Sequence, residues 1–175
     1  MGFYEELAGY YDYIFPVGKA QVDFIADAAG KPPKALLDVA CGTGGYALEF
    51  AKLGYSVTAV DLDAGMIEGL RAKAAAGNIE VKALEANMLD LDQKLSSKYD
   101  LAFCIGNSLV HLNDEKEIER FLEGIKSLLV QDGSLIIQII NYDRVLAKNI
   151  QSLPTIENKE MGLEFQRFYR YEKNS

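Results

Sequence analysis

At 175 residues and 49% apolar, the chain can bury one sizeable core and reads as a single domain, 1–175. Its net charge of −8 argues against general affinity for nucleic-acid backbones or anionic membranes and leaves small or basic molecules as partners. Two cysteines without C-x-x-C spacing and a single histidine exclude a zinc site or a disulfide framework; with no apolar run of ~18 residues and no signal-like start, a cytoplasmic location is expected.

In chain order, Phe3 to Tyr13 is an aromatic lead of helical character, and Lys19 to Ala29 a helix that offers Val22, Phe24, Ile25 and Ala28 for burial before Gly30 and Pro32-Pro33 end it. Ala35 to Ala40 is a short apolar run of buried-strand type. Gly42, Thr43, Gly44 and Gly45 then form a turn, Tyr46 to Leu53 carries helical spacing stopped by Gly54, and Tyr55 to Val60 is a second strand ending at Asp61. Asp63 is placed to cap a helix in which Met66, Ile67 and Leu70 share a face, with Gly77 as its C′ residue. Ile79 to Leu84 and Tyr99 to Ile105 read as the third and fourth strands. Asn113 or Asp114 opens a helix whose Ile118, Phe121, Leu122, Ile125, Leu128 and Leu129 recur at three and four. Gln131-Asp132-Gly133 turns it into a fifth strand, Ser134 to Ile140. This alternation predicts an α/β fold with a doubly wound parallel sheet.

The stretch Leu36 to Asp61 combines strand, glycine turn, helix, second strand and terminal carboxylate. Glycines there let a ligand approach backbone N–H groups, and the Asp61 carboxylate, at the second strand's tip, is suited to both hydroxyls of a ribose. Gly42-Thr43-Gly44-Gly45-Tyr46-Ala47 also fits the loose dinucleotide pattern, which keeps a nicotinamide-dependent oxidoreductase as an alternative. Asp38, four positions before Gly42, suits a cationic ligand better than a pyrophosphate.

Asp38-Val39-Ala40-Cys41-Gly42-Thr43-Gly44 resembles motif I of the class I S-adenosylmethionine-dependent methyltransferases. Glu85-Ala86-Asn87-Met88 follows the third strand where that class sets an amide or acid against adenine. Phe103 to Leu112 and Asn141-Tyr142-Asp143-Arg144-Val145-Leu146 are similar to stretches of the glycine and sarcosine N-methyltransferases. The likeness covers Leu36 to Leu146. It implies the Rossmann-like class I sheet, S-adenosylmethionine as cofactor, and methyl transfer to a small acceptor, most simply an amine. The segments become a lead or lid (1–33), a cofactor-binding core (34–141) and the start of an acceptor-side segment (142–175). The implied cofactor residues are Gly42 and Gly44 at the turn, Ala40 and Cys41 for the methionine part, Asp61 for ribose, Asn87 and Met88 for adenine, and Leu62 and Ile105. Tyr11, Lys19, Asn107 and His111 are further candidates for cofactor or acceptor contact, Lys19 toward the cofactor carboxylate.

Each has a plainer alternative. Asp61 can end a strand and cap a turn, Asn87 can be a turn residue, Cys41 a packing residue, and His111 a cap near the helix that follows. Tyr4, Tyr10, Tyr11 and Tyr13 are either an aromatic cover for a sulfonium or one face of a packed helix. A non-catalytic binding or interaction module of the same fold is the rival from another class. In the glycine-methylating relatives an arginine precedes the Asn-Tyr-Asp triplet; here that position is Ile140, so glycine is disfavoured, while Asn107 and Arg144 remain available to another small molecule. Beyond Ile140 only Met161 to Tyr171 reads as strand. The expectation is that the last two strands of the class I sheet are absent, that this is an N-terminal portion of a longer protein, and that the fifth strand offers an apolar edge for self-association.

Overall fold

The computed structural model describes residues 10–171. Tyr4 and most of the expected lead helix lie outside them. Within them the short helix α1 (Tyr11–Ile14) precedes α2 (Lys19–Ala29), and the chain then alternates: β1 (Ala35–Val39), α3 (Gly45–Lys52), β2 (Ser56–Asp61), α4 (Ala64–Gly77), β3 (Lys82–Glu85), α5 (Leu91–Lys94), β4 (Tyr99–Cys104), α6 (Glu115–Leu128), β5 (Leu129–Ile137) and α7 (Tyr142–Ala147). Two further strands follow, β6 (Ser152–Asn158) and β7 (Leu163–Phe168).

The five core strands form one parallel sheet in the order β3-β2-β1-β4-β5. Strand pleat splits their side chains between two layers. Leu36, Val57, Ala59, Leu101 and Phe103 meet α2, α3 and α4 through Ile25, Phe50 and Leu70. Leu37, Val39, Val60, Ala102 and Cys104 meet α5 and α6 through Leu91, Phe121 and Ile125. Phe50 anchors the first layer with edge-on contacts to Tyr55 and Phe103, at 5.8 and 5.4 Å between centroids. Such pairs add about 0.5–1.5 kcal/mol each beyond burial.

Local chemistry explains most boundaries. Asp63 Oδ1 accepts the Met66 N–H and Asp114 Oδ1 the Glu117 N–H, so both acids are helix N-caps. Helix α4 runs through Gly77 and ends one residue later than expected, with Asn78 in the left-handed conformation that Asn tolerates. In α2, Ile25 is buried but Phe24 is 64% exposed, and in α6 Leu122 points outward, so both apolar faces are narrower than the periodicity suggests. The turn expected at Gln131-Asp132-Gly133 is a bulge inside β5: Tyr99 pairs with Leu129 but Leu101 with Ser134, and Asp132 takes positive φ.

The C-terminal region corrects the strand count. Besides β7, within the expected Met161–Tyr171 stretch, the chain forms β6, and the two pair antiparallel as a separate two-stranded sheet. This hairpin does not extend the main sheet, and the outer edge of β5 has no strand partner among the described residues. No helix of the described residues is long and apolar enough to cross a membrane, and they hold no cluster suited to a metal ion.

Candidate active site

The sheet order reverses between β1 and β4, and loops leaving the carboxyl ends of such strands diverge to open a crevice. Both exits use left-handed backbone: Ala40 (φ 57°) after β1, Gly106 and Asn107 (φ 86° and 76°) after β4. A cavity of about 870 Å³ lies there, roofed by α1 and the segment after it. That volume accommodates a nucleoside-sized ligand with room beside it.

The cavity gathers Ala40, Cys41, Gly42, Asp61, Leu62, Asn87, Met88 and Ile105, with Tyr11, Asn107 and His111. Two expected residues lie elsewhere. Gly44 (φ 75°) faces α4, where an added Cβ would stand 2.2 Å from Leu70, so this glycine serves the turn and helix packing. Lys19 is 85% exposed and paired with Asp23 at 2.6 Å, away from the cavity. Arg144 is exposed and does not line it either.

At the glycine turn, Asp61 Oδ2 accepts the Gly42 N–H at 2.8 Å and Oδ1 the Asp63 N–H at 3.0 Å. The carboxylate is thereby fixed at the tip of β2 with lone pairs left for further donors. Burial raises its pKa above the usual range, and these two N–H groups oppose the shift. Asp38, 3% exposed, lines the same cavity; its Oδ2 has no hydrogen-bond partner among the described residues. Its pKa is raised well above normal, first by burial and then by Asp61, against a hydrogen bond from the Ala47 N–H. An orphan buried carboxyl oxygen near a second, half-buried carboxylate is a setting for a cation.

Gly42 (φ 54°) leaves a cradle that a Cβ would fill, 2.6 Å from the Tyr11 hydroxyl. Tyr11 therefore lies against the glycine turn. Its neighbour Asp12 accepts hydrogen bonds from Thr43 Oγ1 at 2.5 Å and from Lys73 Nζ at 2.7 and 2.9 Å, fastening the roof to the turn and to α4. The Gly18 N–H donates to Tyr46 Oη at 3.0 Å, fastening the other end to α3.

The remaining candidates are partly occupied by the protein itself. Asn87 Oδ1 caps the turn after it by accepting the Leu89 N–H at 3.0 Å. Asn107 ties the end of β4 to the segment after β5: Nδ2 donates to Tyr142 Oη at 2.8 Å and Oδ1 accepts the Ile140 N–H at 3.0 Å. His111, on the 3-10 turn Leu109–His111, is exposed at the rim, as is Leu62 at 67%. Burial pushes the Cys104 thiol up to about 12 and the Cys41 thiol higher still, so neither is a nucleophile.

Residues 36–133 match the methyltransferase domain family. The chain belongs to that family. Class I methyltransferase architecture, a parallel sheet between helical layers, is what the coordinates show, and the match decides against the nicotinamide alternative. Among similar proteins are a glycine/sarcosine N-methyltransferase of Aphanothece halophytica, 28% identical over 122 residues (70% of this chain, 46% of that protein), and the glycine N-methyltransferase of Rattus norvegicus, 34% identical over 125 residues (64% and 42%). This methyltransferase chain thus spans less than half the length of those curated relatives. In structure it is similar to an S-adenosylmethionine-dependent methyltransferase from Clostridium acetobutylicum, with TM-score 0.72 and 21% identity over 90% of this chain and 65% of that one. That likeness speaks for the fold alone.

Sequence reasoning missed Asp12, Thr43 and Arg167, which also line the cavity. For Arg167 a signal exists: Leu163, Phe165, Arg167 and Tyr169 alternate with exposed residues, putting a cation in the inward register of an otherwise apolar strand face.

Proposed function

We propose that this chain binds S-adenosylmethionine in the switch-point cavity and transfers its methyl group to a small acceptor, an amine in the simplest reading. The observation that carries this is the pair of the buried Asp38 and the half-buried Asp61 at the glycine turn, one with an unsatisfied oxygen, the other held by the Gly42 N–H. A cofactor with a cationic ammonium and sulfonium, a ribose and no phosphate suits such a site; a pyrophosphate would face two carboxylates.

When bound, S-adenosylmethionine supplies a methyl group on a sulfur that is already an activated leaving group. Asp61 would hold the ribose hydroxyls, the backbone at Ala40, Cys41 and Gly42 the methionine part, and Leu62, Asn87, Met88 and Ile105 the base. Asp38 holds negative charge against the ammonium. The roof from Tyr11 to Val17 excludes water, and the Asn107 clamp fixes the wall beside the acceptor. Catalysis by orientation in a dry pocket needs no further group. An amine that arrives neutral requires no general base, which accords with thiols held protonated by burial and with His111 at the solvent rim.

The test is calorimetry with S-adenosylmethionine and S-adenosylhomocysteine, with NADH as control, followed by an assay for S-adenosylhomocysteine release on an amine panel. Binding without turnover on any acceptor would favour a non-catalytic module. Failure to bind either compound would remove the proposal. Two free thiols and a small-molecule site also accord with a cytoplasmic setting.

A further inference from the structure

Among the described residues lining the cavity, acidic side chains are plentiful: Asp12, Asp38, Asp61, Asp63 and Glu117. Arg167, delivered by β7, is the only lysine or arginine among them. Its Nε is shut off from water with no hydrogen-bond partner among the described residues, and its guanidinium makes one long contact, Nη2 to the Pro154 carbonyl at 3.3 Å. No carboxylate pairs with it there. A guanidinium whose Nε–H is kept from water and left idle, on a half-buried side chain, is a costly arrangement unless an acceptor completes it.

Its neighbours say which part of the cavity it serves. Phe165 packs edge-on against Phe15 of the roof at 5.8 Å, and the Arg167 guanidinium lies 5.9 Å over the Phe165 ring. Two residues further, Tyr169 packs against Tyr142 at 6.2 Å, and Tyr142 accepts the Asn107 amide. Arg167 therefore enters between the roof and the Asn107–Tyr142 clamp, beyond β4 and β5. The acidic turn of Asp38 and Asp61 is at β1 and β2. The Asp38–Asp61 pair and Arg167 thus stand on different walls of one cavity, cationic cofactor groups suiting the first and an anion the second.

We propose that Arg167 is a specificity-determining residue that anchors a carboxylate on the methyl acceptor, so that the preferred acceptors are small amines bearing a carboxylate. A single negative charge is specified because one guanidinium stands among five acids; a phosphate dianion would meet more repulsion than one partner offsets. Ile140, in the segment after β5, is apolar, and the hairpin supplies a cation from another wall. The inference rests on the methyltransferase reading above.

The test uses the whole chain saturated with S-adenosylhomocysteine. The Arg167 Nε–H signal in a nitrogen–proton correlation spectrum is assigned by its loss in Arg167→Lys, and sodium acetate, β-alanine or 4-aminobutyrate is titrated, with propylamine as the uncharged-tail control. A saturable shift of that signal with the carboxylates and none with propylamine is expected. In transfer assays with the same amino acids, Arg167→Met should raise KM at least tenfold with a smaller change in kcat, and Arg167→Lys should recover part of it. Absence of a saturable shift overturns the proposal even if no acceptor in the panel turns over. A tenfold loss of S-adenosylmethionine affinity in Arg167→Lys also overturns it, assigning the guanidinium to the cofactor's carboxylate. If neither cofactor compound binds wild type, the underlying reading has failed, and the titration is repeated on the free protein, where the same shift or its absence decides for Arg167. Melting curves of both variants exclude misfolding as the cause.

Discussion

The Asp61 carboxylate accepts the Gly42 N–H at 2.8 Å, so the residue suited to the ribose also shapes the turn suited to the methionine end. These tasks separate by substitution. Asp61→Ala should weaken S-adenosylmethionine binding by about 1.5–3 kcal/mol, the scale of hydrogen bonds to a charged group, and lower stability because the Gly42 and Asp63 N–H groups lose their acceptor. Asp61→Asn keeps one acceptor oxygen and should restore part of the stability. Calorimetry and denaturant unfolding check both, and equal cofactor affinity in a folded Asp61→Ala would contradict the assignment.

Gly42→Ala tests the cradle. The added methyl meets the Tyr11 ring and a φ of 54° that alanine adopts reluctantly. We expect about 1–2 kcal/mol of destabilisation and at least a tenfold loss of cofactor affinity. Gly44→Ala, aimed at Leu70, should destabilise more than it affects binding per folded molecule. Comparing the two in unfolding and binding experiments tells a ligand cradle from a packing glycine.

Asp38 carries a pH signature. Its folded-state pKa is raised by burial, so the unfolded chain loses this proton at lower pH than the folded one does. As pH rises from the usual Asp range through the elevated folded value, the folded state binds the extra proton and stability falls. The Asp38→Asn protein lacks that loss. Its melting temperature should exceed wild type by a margin that widens from pH 4 to pH 7 without cofactor, while its affinity for S-adenosylmethionine drops. A margin that narrows with pH would contradict the burial argument.

The roof fastening is local. Asp12 and Lys73 are partly exposed, so their ion pair is worth about 0–1 kcal/mol, and its loss in Asp12→Ala should shift global melting by no more than about 4 °C. Protease cleavage before Lys19 should nonetheless accelerate several-fold, because the same carboxylate binds Thr43. Unchanged cleavage rates would show that Asp12 does not hold the roof.

The edge of β5, unpaired among the described residues, with Val130 and Ile137 exposed on it and Ile139 exposed just beyond, predicts self-association. A solution mass above the 19.3 kDa of one chain is expected, and Ile137→Lys should return it toward the monomer. A wild-type protein that is monodisperse and monomeric at micromolar concentration would refute this.

The first five strands were legible because each lies between strong local signals: the glycine turn after β1, Asp63 capping α4, Asp114 capping α6. Cavity residues on those strand ends were legible for the same reason, since topology sends β1, β2 and β4 to one rim. Gly44 and Lys19 were misplaced because spacing does not tell which side of a turn, or which face of a helix, meets the ligand. Strand β6 stayed hidden because Pro154 interrupts it and its pattern is weak; in a two-stranded sheet a residue without an N–H can face outward. Arg167 became visible only when the hairpin folded back against Phe15 and Tyr142, contacts that link residues far apart in sequence.

The position of β1 between β2 and β4 has a temporal meaning on the ribosome. One flank of β1 can pair as soon as Ser56–Asp61 has been made, but the other waits for Tyr99–Cys104. At synthesis rates of ~5–20 residues per second that delay is roughly 2–8 s. During it Leu36, Leu37 and Val39, all destined to be fully buried, belong to a sheet with an open side. The nascent chain is therefore most exposed to wrong partners just before its fourth strand leaves the tunnel, and slowing translation there should lower soluble yield more than slowing it after residue 137.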